Sequence, residues 1–224
     1  MLYSEKVKLF AKQHPCEEIT VDGARYRYVL CGKAGARTLV FLNGGMVAQI
    51  YVQKYPGEAG GLILVSTGGM DEATLRTLKQ KYRLAPLMLW YMKHCNYEKL
   101  KPKLISASLR HIRDETPEEI AYAKDMFETI FRDFTQEKDV HISSLLADLM
   151  RQRPVTAADF AALAGRILLI LPNQDFFSEK MQKDLIALMH DPKIAYVSGG
   201  HLSTVLKTQD YVRVIREFLT ETFA

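Results

Sequence analysis

Three short, almost purely apolar runs divide the chain: TLVFL at 38–42, LILV at Leu62–Val65 and RILLIL at 166–171. A milder fourth run, KIAYV, occupies Lys193–Val197. Runs of this length with little alternation fit strands that are covered on both faces. Each is followed by a loop and a helical pattern, first MVAQIYVQKY, which closes at Pro56-Gly57, and last Thr208–Phe223. Strands alternating with helices predict βαβ units, hence an α/β fold with a mostly parallel sheet and right-handed crossovers. The opening differs, since Glu17–Val21 and 25–31 alternate about Asp22-Gly23, which predicts a β-hairpin. From 71 to 164 only helical periodicity appears. The expected organisation is a core of 1–70 and 165–224, with 71–164 inserted as a helical cap over the carboxyl ends of the strands. That edge is where open α/β sheets bind ligands.

Composition narrows the class of function. The 224 residues are 48% hydrophobic and 25% charged, enough apolar mass for a folded globular domain. The net charge of +4 is scattered, and no basic stripe points to nucleic acid. Cys16, Cys31 and Cys95 form no CxxC, and the histidines show no ligand spacing, so neither a metal nor a cofactor is expected. The start, MLYSEKVKLFAKQHP, is too charged for a signal peptide, and no apolar run approaches the roughly 20 residues of a membrane span. A cytoplasmic protein with no membrane partner is expected.

The chemistry-bearing residues follow the last two strands. Asp175 comes after RILLIL and His201 after Lys193–Val197, so parallel strands bring both to one sheet edge. There a carboxylate can fix the imidazole tautomer and leave the other ring nitrogen as a general base. Taken singly, Asp175 also reads as a turn or capping residue, and His201 as a loop histidine. Gly44, Gly45 and Met46 stand at a helix start, where backbone N–H groups can hold an oxyanion or glycines can simply make a tight turn. Ser198 and Ser203 are expected to cap the loop around His201. Trp90-Tyr91-Met92 and Phe127, Phe131 and Phe134 are expected in packing between helices, the alternative being an apolar substrate pocket.

The order hairpin, TLVFLNGG, helix, LILVSTGG, helical stretch, RILLILPNQD and SGGH resembles an α/β-hydrolase of the lid-bearing, small-substrate type. The resemblance covers nearly the whole chain. It implies cleavage of esters, amides or activated C–C bonds by a serine nucleophile, with Asp175 as the acid, His201 as the base, LNGG as the oxyanion loop and no cofactor. The family carries its serine in G-x-S-x-G, and that motif is absent from these 224 residues. If Gly44-Gly45 are the glycines of that turn, Leu42 stands in the nucleophile's place. Two glycine-pair segments read as merged into one, which removes intervening strands and predicts a sheet of about six strands, hairpin included, with 38–42 beside Leu62–Val65. Lost cover for the helix layer predicts an exposed apolar patch and a homo-oligomer. Ser66, which ends a buried strand before Thr67-Gly68-Gly69, is the best substitute nucleophile, although Leu64 stands where that turn wants a small residue. The expected function is a hydrolase-lineage protein with impaired or lost catalysis, acting on or holding a small apolar or ester-like molecule. The alternatives are a non-catalytic binding protein and a deletion product of a competent hydrolase.

Overall fold

The computed structural model describes residues 1–21, 24–29, 45–110, 112 and 116–223. The turn at 22–23, Cys31, the expected strand 38–42 with Leu42, and Gly44 lie outside the described residues. The parallel sheet contains β3 (Leu62–Val65), β4 (Ile167–Pro172) and β5 (Lys193–Val197), in the order β3-β4-β5. Leu62 pairs with Ile167 and Leu64 with Leu169, while Leu169 pairs with Ile194 on the far side. All six residues of the central β4 are buried, as its unbroken apolar sequence requires.

Alternate residues face two helix layers. Leu62, Leu64, Ile167, Leu169 and Leu171 share a core with α2 (Gly45–Lys54), α8 (Ala157–Phe160) and α9 (Glu179–Leu188) through Val52, Phe160 and Leu185. Leu168 and Ile170 meet Tyr211 and Phe218 of α11 (Thr208–Phe223) on the opposite face. Side chains on the two faces of a strand point apart, so one sequence run supplies both cores. The connection from β3 to β4 runs through α3 (Glu72–Lys81), α4 (Ala85–His94), α5 (Tyr97–Leu109), α6 (Pro117–Arg132), α7 (Gln136–Leu149) and α8. Most of these helices begin on a side-chain cap: Asp71, Asn96, Thr116 and Thr135 each accept an N–H from the first turn that follows.

Three sequence expectations change here. Among the described residues the parallel sheet has three strands, and the hairpin of β1 (Glu17–Val21) and β2 (Ala24–Tyr28) forms a separate sheet. Residues 17–20 of β1 are all exposed, and EEITV has no continuous apolar run with which to enter a sheet buried on both faces. Trp90 and Tyr91 are exposed, whereas only Met92 of that triplet is buried, because α4 turns just one edge inward against α7. A further helix, α1 (Tyr3–Gln13), was not predicted. It buries none of its own residues and rests on α6, where Ser4 bonds to Asp125 and the rings of Tyr3 and Tyr122 meet edge to face at 5.9 Å.

Candidate active site

Because β3, β4 and β5 are parallel, the loops that follow them emerge at one edge of the sheet. The last two are stitched together by backbone bonds. Asn173 N–H donates to the Val197 carbonyl at 3.0 Å, Gln174 N–H to the Gly199 carbonyl at 3.1 Å, and Gly199 N–H to Asn173 Oδ1 at 3.0 Å. Gly199 has φ +106°, a backbone conformation that side chains seldom adopt, and this lets the loop turn back toward Asn173. Ser203 then anchors the far side: its buried hydroxyl bonds to the Gly200 carbonyl and to Tyr211 Oη, each at 2.6 Å. Ser198 Oγ accepts a long contact from Lys207 Nζ at 3.5 Å.

This stitching places His201 Nδ1 3.0 Å from Asp175 Oδ1. The Asp175 side chain is 1% exposed and that of His201 43%. An ionised carboxylate only accepts, so Nδ1 carries the proton and Nε2 of the neutral ring holds a free lone pair. Among the described residues Nε2 has no hydrogen-bond partner. Asp175 Oδ1 also receives the Phe177 N–H at 3.4 Å, while Oδ2 is buried without a partner. An oriented, half-exposed imidazole against a buried carboxylate has the geometry of a general base. Among the described residues no cluster of three His, Cys, Asp or Glu side chains is placed to hold a metal.

Ser66 directly follows β3, with its N–H bonded to the Ile170 carbonyl at 3.1 Å. Its φ is +46°, a strained value for a residue with a side chain, and its buried hydroxyl has no partner, so it makes no hydrogen bond to His201. Gly45 and Met46 are the first two residues of α2, so their N–H groups lack partners within the helix. A Cβ on Gly45 would stand 2.6 Å from Thr67 Cγ2, so this glycine lets the helix start press against the loop after β3. Met46 packs its side chain against the core.

Sequence reasoning missed two features of this edge. Gln49 is 0% exposed and joins α2 to the loop after β3: Nε2 donates to the Gly68 carbonyl at 2.9 Å and to the Gly45 carbonyl at 3.3 Å, and Oε1 accepts Met70 N–H at 3.0 Å. Its signal was a lone amide inside MVAQIYV. The second is Phe176-Phe177, whose ring centroids lie 4.4 and 6.1 Å from that of His201. Phe177 also packs on Gly68, where a Cβ would fall 2.8 Å from its ring. Phe177 thus touches the loop after β3 and lies near the imidazole, while Phe176 packs on the imidazole itself.

No family model and no curated protein matches the sequence. Solved structures do match in shape. An enol-lactonase from Burkholderia xenovorans LB400 superimposes with a TM-score of 0.57 at 10% identity, over 79% of this chain and 62% of its own. BpoC from Mycobacterium tuberculosis H37Rv, described as a non-heme bromoperoxidase, gives 0.55 at 14% identity, over 81% and 65%. MGS-M2, an α/β-hydrolase enzyme from a Medee basin deep-sea metagenome library, gives 0.50 at 14% identity, over 80% and 63%. The chain thus spans less than two thirds of the length of each of these neighbours. At such identities likeness speaks for architecture alone. The chain has the α/β-hydrolase fold, in a form whose described parallel sheet is shortened to three strands.

Proposed function

We propose that this chain is a protein of serine-hydrolase lineage that keeps the acid–base half of the machinery, Asp175 and His201, and lacks the serine they would activate. Hydrolysis of small esters, amides or activated C–C bonds through an acyl-serine is then impaired or lost. The observation that carries this reading is the 3.0 Å bond from His201 Nδ1 to a buried Asp175, which leaves Nε2 free. The absence of G-x-S-x-G supports the missing nucleophile, as does a Ser66 hydroxyl that does not meet the imidazole. Its fold neighbours include an enol-lactonase, which fits a lineage acting on small esters. A cytoplasmic location and a small apolar or ester-like ligand belong to the same proposal. The half-exposed Phe176 beside His201 would offer such a ligand an apolar wall.

The test is intact-mass analysis after exposure to a fluorophosphonate serine-hydrolase probe, on folded protein, with His201→Ala as control. No adduct on either protein is the expected result. One stoichiometric adduct that disappears in His201→Ala would overturn the proposal, and peptide mapping would then ask whether Ser66 carries it. In competent triads the loss of the nucleophile leaves only about 10³–10⁴-fold over the uncatalysed rate, so turnover is a weaker readout than labelling.

A further inference from the structure

Helix α4 presents an unusual surface. Its inner edge, Ala85, Leu89 and Met92, is turned into the protein, yet the rest of its perimeter is apolar as well up to Lys93 and His94 in the last turn. Leu84, Leu87, Met88 and Tyr91 recur at i, i+3, i+4 and i+7, which places them on one face. Together with Trp90 they are between 52% and 62% exposed. A helix this apolar is ordinarily covered on most sides, so among the described residues this one lacks a cover.

The surrounding charge identifies the chemistry of that cover. From 73 to 97 the sequence has no aspartate or glutamate, but it has Arg76, Lys79, Lys81, Arg83 and Lys93. Arg76 is paired with Glu72; among the described residues the other four have no acidic partner. On α7, packed against α4, Asp139 accepts the Tyr97 hydroxyl and Asp148 pairs with Arg151, while Glu137 adjoins Lys138. A second copy docked on this face would bring two such basic stretches together against mutual repulsion. An anionic surface would instead attract them. Trp and Tyr beside Leu and Met, with Arg83 next to Leu84 and Lys93 on the helix itself, is the side-chain set of a helix lying in a membrane interface.

We propose that α4 is a peripheral docking surface for anionic lipid, with the helix lying in the plane of the headgroups. Crossing the bilayer is not involved, since no helix among the described residues is long and apolar enough to do so. The surface adjoins the candidate site: Lys81 Nζ lies 5.7 Å from the Phe176 ring, which in turn packs on His201. The inference is independent of the proposed function, and its test involves no catalysis.

Trp90 is the sole tryptophan, so its fluorescence reports on this face alone. Purified protein is titrated with phosphatidylcholine vesicles with and without phosphatidylserine. With phosphatidylserine, Trp90 emission should move to shorter wavelength and be quenched by brominated acyl chains, and the effect should fade as salt screens the attraction. Leu87→Ser with Met88→Ser should abolish the shift. Neutralising Lys79, Arg83 and Lys93 together to Gln should weaken partitioning about a hundredfold. No emission change with phosphatidylserine would overturn the proposal, as would an equal change on neutral vesicles. A lipid-free shift that grows with protein concentration, with a dimer in sedimentation, would overturn it in favour of a second copy.

Discussion

Replacing Gln49 by leucine tests whether the edge of the sheet is held by this one amide. The side chain is fully buried, and of its partners Gly68 and Met70 are buried with it, while Gly45 is half-buried. Met70 is also 0% exposed, and its N–H has Gln49 Oε1 as its acceptor. The Gly68 carbonyl would keep a second donor, the Thr67 hydroxyl at 3.1 Å. Most of the penalty therefore falls on one orphaned N–H, with a smaller part from the weakened carbonyls of Gly68 and Gly45. A buried unpaired group costs about 1–3 kcal/mol, and the leucine returns some of this by burying apolar surface, so Gln49→Leu should destabilise by ~2 kcal/mol. In urea, with an m-value of about 2 kcal/mol/M, the midpoint should fall by ~1 M at unchanged m. Gln49→Glu should be worse at neutral pH, because it sets a carboxylate against the carbonyls of Gly45 and Gly68. Acidification should narrow that deficit, since a protonated Glu can again donate. Native-state exchange should show the Met70 amide losing protection first. A Gln49→Leu midpoint within ~0.2 M of the parent, or a Gln49→Glu variant as stable as the parent at neutral pH, would refute the reasoning.

Gly45→Ala should cost about 1–2 kcal/mol, because its Cβ would stand 2.6 Å from Thr67 Cγ2, and adding Thr67→Ser, which deletes that methyl but leaves Thr67 Cβ at 2.8 Å, should restore only part of the loss in thermal melts. Burial pushes the Asp159 carboxyl up, but bonds from the Thr156 N–H, Arg153 and the Thr156 hydroxyl outweigh it and hold the group below the usual carboxylate range. A lowered folded-state value contributes stability that is present above the unfolded value of about 3.9 and lost as pH falls through the folded one. Asp159→Asn should therefore lower stability by about 1 kcal/mol at neutral pH, and the difference should vanish in strong acid; a pH-independent difference would show that the charge is not the cause.

What could be read from the sequence was whatever local pattern alone determines. LILV, KIAYV and the last helix stand where the pattern put them. LILV is a mostly buried strand and so nearly all apolar, KIAYV is an edge strand among the described residues whose Lys193 and Tyr196 are exposed, and the helix keeps its 3.6-residue apolar period. RILLIL shifted by one residue, and Pro172 closes the strand opposite Val197, at a position that asks no N–H of it. The shared edge of Asp175 and His201 followed from parallel topology, which needs only the order of strands and loops. Failures came where partners decide. Helix α1 shows no buried face of its own, and its contacts with α6 lie some 120 residues away in sequence. Its local signals, Glu5 capping the Leu2 N–H and Lys12 in the last turn, were passed over. Helix α4 carries the composition of a core helix, yet burial depends on what packs outside it, and composition is silent on that.

Ser66 shows how far local geometry alone can go. It ends a buried strand, bends into a left-handed conformation, carries an unpartnered hydroxyl and leads through 67–71 into α3, which is the strand–turn–helix outline of a hydrolase nucleophile. A nucleophile also needs a base within reach and room for the acyl group beside it. Among the described residues no base is hydrogen-bonded to Ser66. Its hydroxyl is buried, its preceding neighbours Leu64 and Val65 are bulky, and the loop after it abuts Phe177, whose ring lies 6.1 Å from that of His201. Phe177 packs on the loop after Ser66 and lies beside His201, so Phe177→Ala is the substitution that opens space next to both. If that variant stays unlabelled by the fluorophosphonate probe, the obstacle is the strand on which Ser66 sits rather than the ring in front of it.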